Sequence, residues 1–140
     1  MGLYFAYGSN LLRRQMAERC PAARGLTVAR LEGWRFLINE RGVATIAPAE
    51  GQTVIGALWD LTDVCEASLD RFEGVTDGKY EKRILPVIAE DGARHEALTY
   101  IDLRQTHGRP YAGYLDTRVL PGAREWGLPA PYLAMLESWL

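Results

Sequence analysis

The sequence predicts an α+β domain built on a mixed or antiparallel sheet. Three observations carry that expectation: segments with strand character outnumber helical ones, most connections are short, and Asp91-Gly92 gives a hairpin signal between two strand-like runs. A doubly wound parallel sheet is excluded on the same grounds.

The elements follow in order. Leu3 to Ala6 is a short apolar run broken by Gly8 and reads as a buried first strand. Ser9 or Asn10 can cap a helix running through Leu11, Leu12 and Met16 to about Arg19, stopped by Pro21. Leu26 to Leu31, Trp34 to Ile38 and Val43 to Ile46 read as strands separated by Gly33 and Gly42. Val54 to Leu61 is a longer strand. Thr62 or Asp63 then opens a helix whose apolar stripe is Cys65, Leu69 and Phe72, with Gly74 as its stop. Strands over Tyr80 to Ala89 and Glu96 to Leu103 flank the hairpin signal. Tyr111 to Leu120 is a helix after Pro110, ended by Pro121-Gly122. The last helix, from Pro131 to Leu140, places Leu133, Leu136 and Leu140 on one face.

Composition bounds the rest. The chain has 140 residues, read as one domain over 1–140, of which 48% are hydrophobic and 24% charged. These proportions exclude an extended disordered chain. A net charge of −2 leaves no basic excess to grip a phosphate backbone, so no nucleic-acid partner is expected. No apolar run approaches the ~20 residues of a membrane span, and the N-terminus does not read as a signal peptide. Ala6 stands where an N-myristoylation signal after Met1-Gly2 calls for Ser or Thr. Cys20 and Cys65 are too few for a disulfide scaffold, and the expected location is the cytoplasm. The four tryptophans, Trp34, Trp59, Trp126 and Trp139, read as core or interface.

Several motifs fail. His95 and His107 stand without ligand spacing, so neither a metal nor another cofactor is expected. The glycines around Lys79 lack the spacing of a phosphate-binding loop, and Tyr80 occupies its Ser/Thr position. Ser9 is not in a Gly-x-Ser-x-Gly elbow.

Two features carry chemistry. Tyr7-Gly8-Ser9-Asn10 lies between a strand and a helix, where Gly permits close approach and the helix start offers N–H groups to a carboxylate, a phosphate or a developing oxyanion. On its own the turn also reads as a plain N-cap. Glu73 falls in the last turn of its helix, where the dipole disfavours its charge; partial burial would raise its pKa towards that of a general base. On its own it also reads as an exposed Glu beside a C-cap glycine. Tyr100 and Tyr114 are polar-tipped aromatics that read individually as core.

Taken together, these features resemble the γ-glutamylcyclotransferase family, including its plant relatives of the avirulence-induced type. Leu3-Tyr-Phe-Ala-Tyr-Gly-Ser-Asn-Leu-Leu12 looks like the family's signature strand and loop. Ser68 to Val75 followed by Gly78-x-Tyr80 looks like its second signature, which contains the catalytic Glu. Weaker matches at Val28 to Leu31, Gly42 to Ile46, Gly56 to Trp59 and Gly122 to Pro129 extend the likeness over nearly the whole chain. The resemblance implies a small mixed β-barrel flanked by helices, with a pocket at the barrel mouth. It implies that Tyr7, Gly8, Ser9 and Asn10 hold a γ-glutamyl group, that Glu73 is the base, and that Tyr80, Tyr100 and Tyr114 line the pocket. Arg104 to Pro121 departs from the familiar form. The implied reaction cyclises a γ-glutamyl compound to 5-oxoproline and releases an amino acid or amine. A γ-glutamylamine or protected biosynthetic intermediate as substrate, or a binding module without turnover, are the alternatives. The resemblance permits a homodimer.

Overall fold

The computed structural model describes residues 2–104 and 107–140. Met1, with the acylation reading attached to it, and Gln105 and Thr106 of the divergent segment lie outside the described residues. Five strands close into a barrel: β1 (Gly2–Ala6), β2 (Arg24–Ile38), β3 (Ala44–Leu61), β4 (Glu81–Ala89) and β5 (Arg94–Ile101), in the order β1-β3-β2-β4-β5. Every pairing is antiparallel except the one that closes the ring, where β1 runs parallel to β5 at Tyr4↔Leu98. The expected mixed barrel with flanking helices is therefore the observed fold.

The apolar run of β1 reflects burial on both faces. Successive strand side chains alternate, so Phe5 and Tyr7 join the main core cluster with Leu31, Ile38, Ile46, Leu58 and Ile101. Tyr4 and Ala6 join a second cluster, with Met16, Leu69 and Tyr100, that includes residues of helices α1 (Arg13–Arg19) and α2 (Asp63–Phe72).

Several expectations are corrected. The strands expected over 26–31 and 34–38 are one strand of 15 residues, and those expected over 43–46 and 54–61 are one strand of 18. The register jumps from Glu32↔Thr53 to Trp34↔Pro48, so Gly33 marks a bulge and not a chain reversal. Neither Ser9 nor Asn10 caps a helix through its side chain. A 3-10 turn (Ser9–Leu11) precedes α1, and Asn10 is buried instead. Phe72 is 56% exposed, because it lies at the end of α2 beyond the core; the Arg19 guanidinium lies over its ring at 4.7 Å. The hairpin's second strand ends at Ile101, short of Leu103. Pro121-Gly122 does not end a helix. A π-helical turn (Leu115–Val119) leads straight into α3 (Leu120–Glu125), and Pro121 lies within this continuous helical segment just after the wider π turn. Leu140 is exposed because α4 (Ala130–Glu137) stops three residues earlier, while Leu136 is fully buried. Among the described residues no helix is long and apolar enough to cross a membrane.

The C-terminal helices buttress the turn that follows β1. Trp126 Nε1 donates to Leu11 O at 2.9 Å, and Arg13 N donates to Glu125 Oε1 at 3.0 Å. Gly122 lets α3 lie directly on this backbone: a Cβ there would stand 2.5 Å from Leu12 N and 2.6 Å from Leu11 C. Gly→Ala inside a helix ordinarily stabilises by about 1 kcal/mol. Here Gly122→Ala is expected to destabilise by about 1–3 kcal/mol through overpacking against backbone. A lowered thermal midpoint is the expected reading; a raised one would show that α3 does not press on this turn.

Candidate active site

A concavity opens where β1 gives way to the Tyr7–Asn10 loop. It is a cavity of about 140 Å³, room for several waters or a small organic group. All eight residues singled out in the sequence line it: Tyr7, Gly8, Ser9, Asn10, Glu73, Tyr80, Tyr100 and Tyr114. Residues separated by more than a hundred positions are thus brought to one wall by barrel closure. Tyr4, Arg19 and Arg41 also line the cavity, and sequence reasoning missed them. The alternation of β1 sets Tyr4 opposite Phe5, but nothing local marks that face as a pocket wall. The two arginines sit at a helix end and in a turn without a motif.

Glu73 is placed by the way α2 ends. Val75 N bonds to Asp70 O at 3.0 Å and Gly74 N to Arg71 O at 3.2 Å, with Gly74 at φ +65. These are the two bonds of a Schellman cap, which needs a residue able to adopt positive φ after the last helical residue. The Glu-Gly pair read as a helix stop therefore fixes Glu73 as the cap residue at the cavity wall. Burial of the carboxyl group is the main cause that pushes its pKa up to about 7; the Arg19 and Arg41 charges pull it back down without prevailing.

Asn10 organises the loop. Its Nδ2 donates to Tyr4 OH at 2.9 Å and to Glu73 Oε1 at 3.5 Å, and its Oδ1 accepts from Gln15 Nε2 at 2.8 Å and Arg19 Nη1 at 3.2 Å. Gln15 Nε2 also donates to Ser9 Oγ at 2.7 Å, and Gln15 Oε1 accepts from Arg118 Nη1 at 2.6 Å. Gly8 permits close packing, since a Cβ would meet Ala44 Cβ at 3.0 Å and Tyr114 OH at 3.1 Å.

The tyrosine hydroxyls are held by the scaffold. Tyr7 OH donates to Tyr100 O and Tyr80 OH to Ala44 O. Ala44 N donates to Tyr114 OH at 2.9 Å, so two tyrosines grip one residue of β3. Tyr100 OH donates to Asp70 Oδ1 at 2.7 Å, one helical turn before Glu73. Burial pushes the pKa of all four phenols up, and they stay protonated at neutral pH. Among the described residues no group of three or more His, Cys, Asp or Glu side chains is placed to hold a metal ion.

The cavity brings together one carboxyl group, two guanidiniums and a wall of neutral phenols. The AIG2-like family matches residues 53–136 of this chain. The chain is 33% identical to the Mus musculus gamma-glutamylcyclotransferase over 146 residues, covering 97% of this chain and 77% of that protein. The Homo sapiens gamma-glutamylcyclotransferase is 32% identical over the same shares. A solved structure described as a gamma-glutamyl cyclotransferase superposes with a TM-score of 0.92 at 31% identity, covering 99% of this chain and 88% of that one. YkqA from Bacillus subtilis shares the fold, with a TM-score of 0.81 at 23% identity. The chain is an enzyme and belongs to the AIG2-like, γ-glutamylcyclotransferase family.

The raised pKa of Glu73 makes a stability prediction. Its value rises from an ordinary 4.5 to about 7 in the folded state. The native state therefore binds more protons than the unfolded chain between these values, and stability falls as pH rises through this window. The shift corresponds to about 3 kcal/mol lost by pH 8. Glu73→Gln should remove this dependence and melt higher than the native protein at pH 8. Parallel pH–stability curves for the two would rule out a buried, proton-binding Glu73.

Proposed function

We propose that this enzyme cyclises a γ-glutamyl compound to 5-oxoproline and releases the attached amino acid or amine, with Glu73 as general base. The observation that carries the reading is a carboxyl group poised near pH 7 against the loop that would hold the γ-glutamyl head. The names and overall likeness of the relatives support the same chemistry.

In a γ-glutamyl compound the α-nitrogen closes a five-membered ring on the γ-carbonyl carbon. The obstacle is its protonation, since even a peptide α-amine has a pKa of about 8. Glu73 takes one proton from the ammonium, and the freed amine attacks. The new C–N bond turns the carbonyl oxygen into an oxyanion beside the Gly8–Asn10 backbone, where N–H donors would act on the developing charge. Protonated Glu73 then delivers its proton to the departing nitrogen as the old C–N bond breaks. The second proton on the ring nitrogen passes to the released amine. No covalent enzyme intermediate is required, because the nucleophile already belongs to the substrate. Neutral Tyr7, Tyr80 and Tyr114 shape the cavity around the ring without competing for the proton. The proposed setting is the cytoplasm, in keeping with two free, buried cysteines.

Release of 5-oxoproline from a panel of γ-glutamyl compounds tests the reading. The native enzyme should turn over at least one member, and Glu73→Gln should lose about 10²–10⁴-fold in kcat/KM. Full activity in that variant would exclude Glu73 as the base. The base must be ionised to act, so kcat/KM should climb with pH through a limb near the pKa of about 7 that burial gives Glu73. A rate that is flat from pH 5.5 to 8 would contradict the assignment.

A further inference from the structure

We propose that Arg41 receives the carboxylate of the departing amino acid and is the residue that sets leaving-group specificity. The inference rests on the γ-glutamyl cyclisation proposed above.

The first argument is charge. The charged residues lining the cavity are Arg19, Arg41 and Glu73. With Glu73 ionised the site carries one positive charge more than negative. A γ-glutamyl amino acid carries two carboxylates and one ammonium, and its net charge of −1 complements that surplus. A γ-glutamyl alkylamine carries one of each and is neutral, and one bearing a second amine is positive. Only the amino-acid conjugate gives both guanidiniums a carboxylate.

The second argument is position. Arg19 bonds Asn10 Oδ1 at 3.2 Å and so belongs to the wall that would hold the γ-glutamyl head. Arg41 stands apart from it, in the turn between β2 and β3, with its guanidinium 5.1 Å from the Tyr80 ring centre. Its side chain is 33% exposed, which puts it at the mouth. With the γ-glutamyl head against the Tyr7–Asn10 loop, in a cavity of about 140 Å³, the leaving group would project towards that mouth.

The third argument is preorganisation. Arg41 Nη2 donates to Asp102 Oδ2 and to Lys79 O, each at 3.2 Å. The Asp102 side chain is fully buried and also accepts from Asn39 Nδ2 at 3.2 Å and Arg104 Nε at 3.4 Å. One buried carboxylate thus serves two guanidiniums, so the group that fixes Arg41 does not exhaust the positive charge around it. Both bonds of Arg41 use one nitrogen, and the rest of its planar fork can take a carboxylate from the ligand. A guanidinium held in place in advance loses less freedom on binding than a mobile one.

The test compares γ-glutamyl-alanine with γ-glutamyl-alaninamide, which differ only in the leaving group's carboxylate. The native enzyme should favour the acid by about 10–100-fold in kcat/KM, the scale of a charge-assisted hydrogen bond. In Arg41→Met the ratio should collapse towards one, with the loss for the acid falling chiefly on KM. Arg41→Gln supplies the same comparison if the Met variant does not fold. Equal turnover of both substrates by the native enzyme, or a preference that survives both substitutions, would overturn the assignment of Arg41. Turnover of neither substrate while another γ-glutamyl compound is cyclised would also overturn it, whereas release of 5-oxoproline from no γ-glutamyl compound would sink the cyclisation reading, and this inference with it.

Discussion

β1 is held from both sides. It pairs antiparallel with β3 over Gly2–Ala6 and parallel with β5 at Tyr4↔Leu98. That second contact converts a five-stranded sheet into a closed barrel, and barrel closure removes exposed strand edges. It also fixes where β1 ends. Tyr7 to Asn10 leave the barrel at that point, with Ala44 of β3 under Gly8 and the backbone of Tyr100 in β5 receiving the Tyr7 hydroxyl. The cavity exists because two sequence-distant strands, β3 and β5, meet the end of the first one.

Electrostatic opposition runs through the site. Burial disfavours charge on Glu73, while Arg19 and Arg41 favour it, and the outcome lies near neutrality. Stronger pairing would leave a carboxylate too weak as a base, and deeper burial without cations would leave it protonated. The arginines are kept from closing on Glu73 by other partners: Asn10 for Arg19, and Asp102 with Lys79 O for Arg41. The site thus holds charges of both signs close together without letting them neutralise each other.

Much of this was legible in the sequence for identifiable reasons. Gly74 marked the end of α2 because positive φ is local chemistry, and the Schellman cap realises it. The Tyr7–Asn10 turn was legible because a strand, a glycine and two cap-type residues stand in succession. The role of Asn10 was not, since its partners Tyr4, Arg19 and Glu73 come from three elements. Gly33 misled because a bulge glycine and a turn glycine look alike until the partner strand is known. Pro121 misled because a wide π turn upstream makes room for a proline within a continuous helical segment. Arg41 carried no signal at all, since its place depends on a buried aspartate 61 residues away.

The contact between α1 and α2 has a further consequence. Cys20 is the residue after Arg19, and its Sγ donates to Cys65 O on α2 at 3.1 Å, while Ser68 Oγ donates to Arg19 O at 2.7 Å. Burial, reinforced by the neighbouring Cys65, pushes the Cys20 thiol up to about 12. Only a thiolate reacts with an alkylating reagent, so this sulfur is inert while the helices stay together. Its labelling rate then becomes a clock for transient parting of α1 from α2. Because Arg19 and Glu73 ride on the ends of those two helices, that clock times the breathing of the pocket wall without a substrate being present.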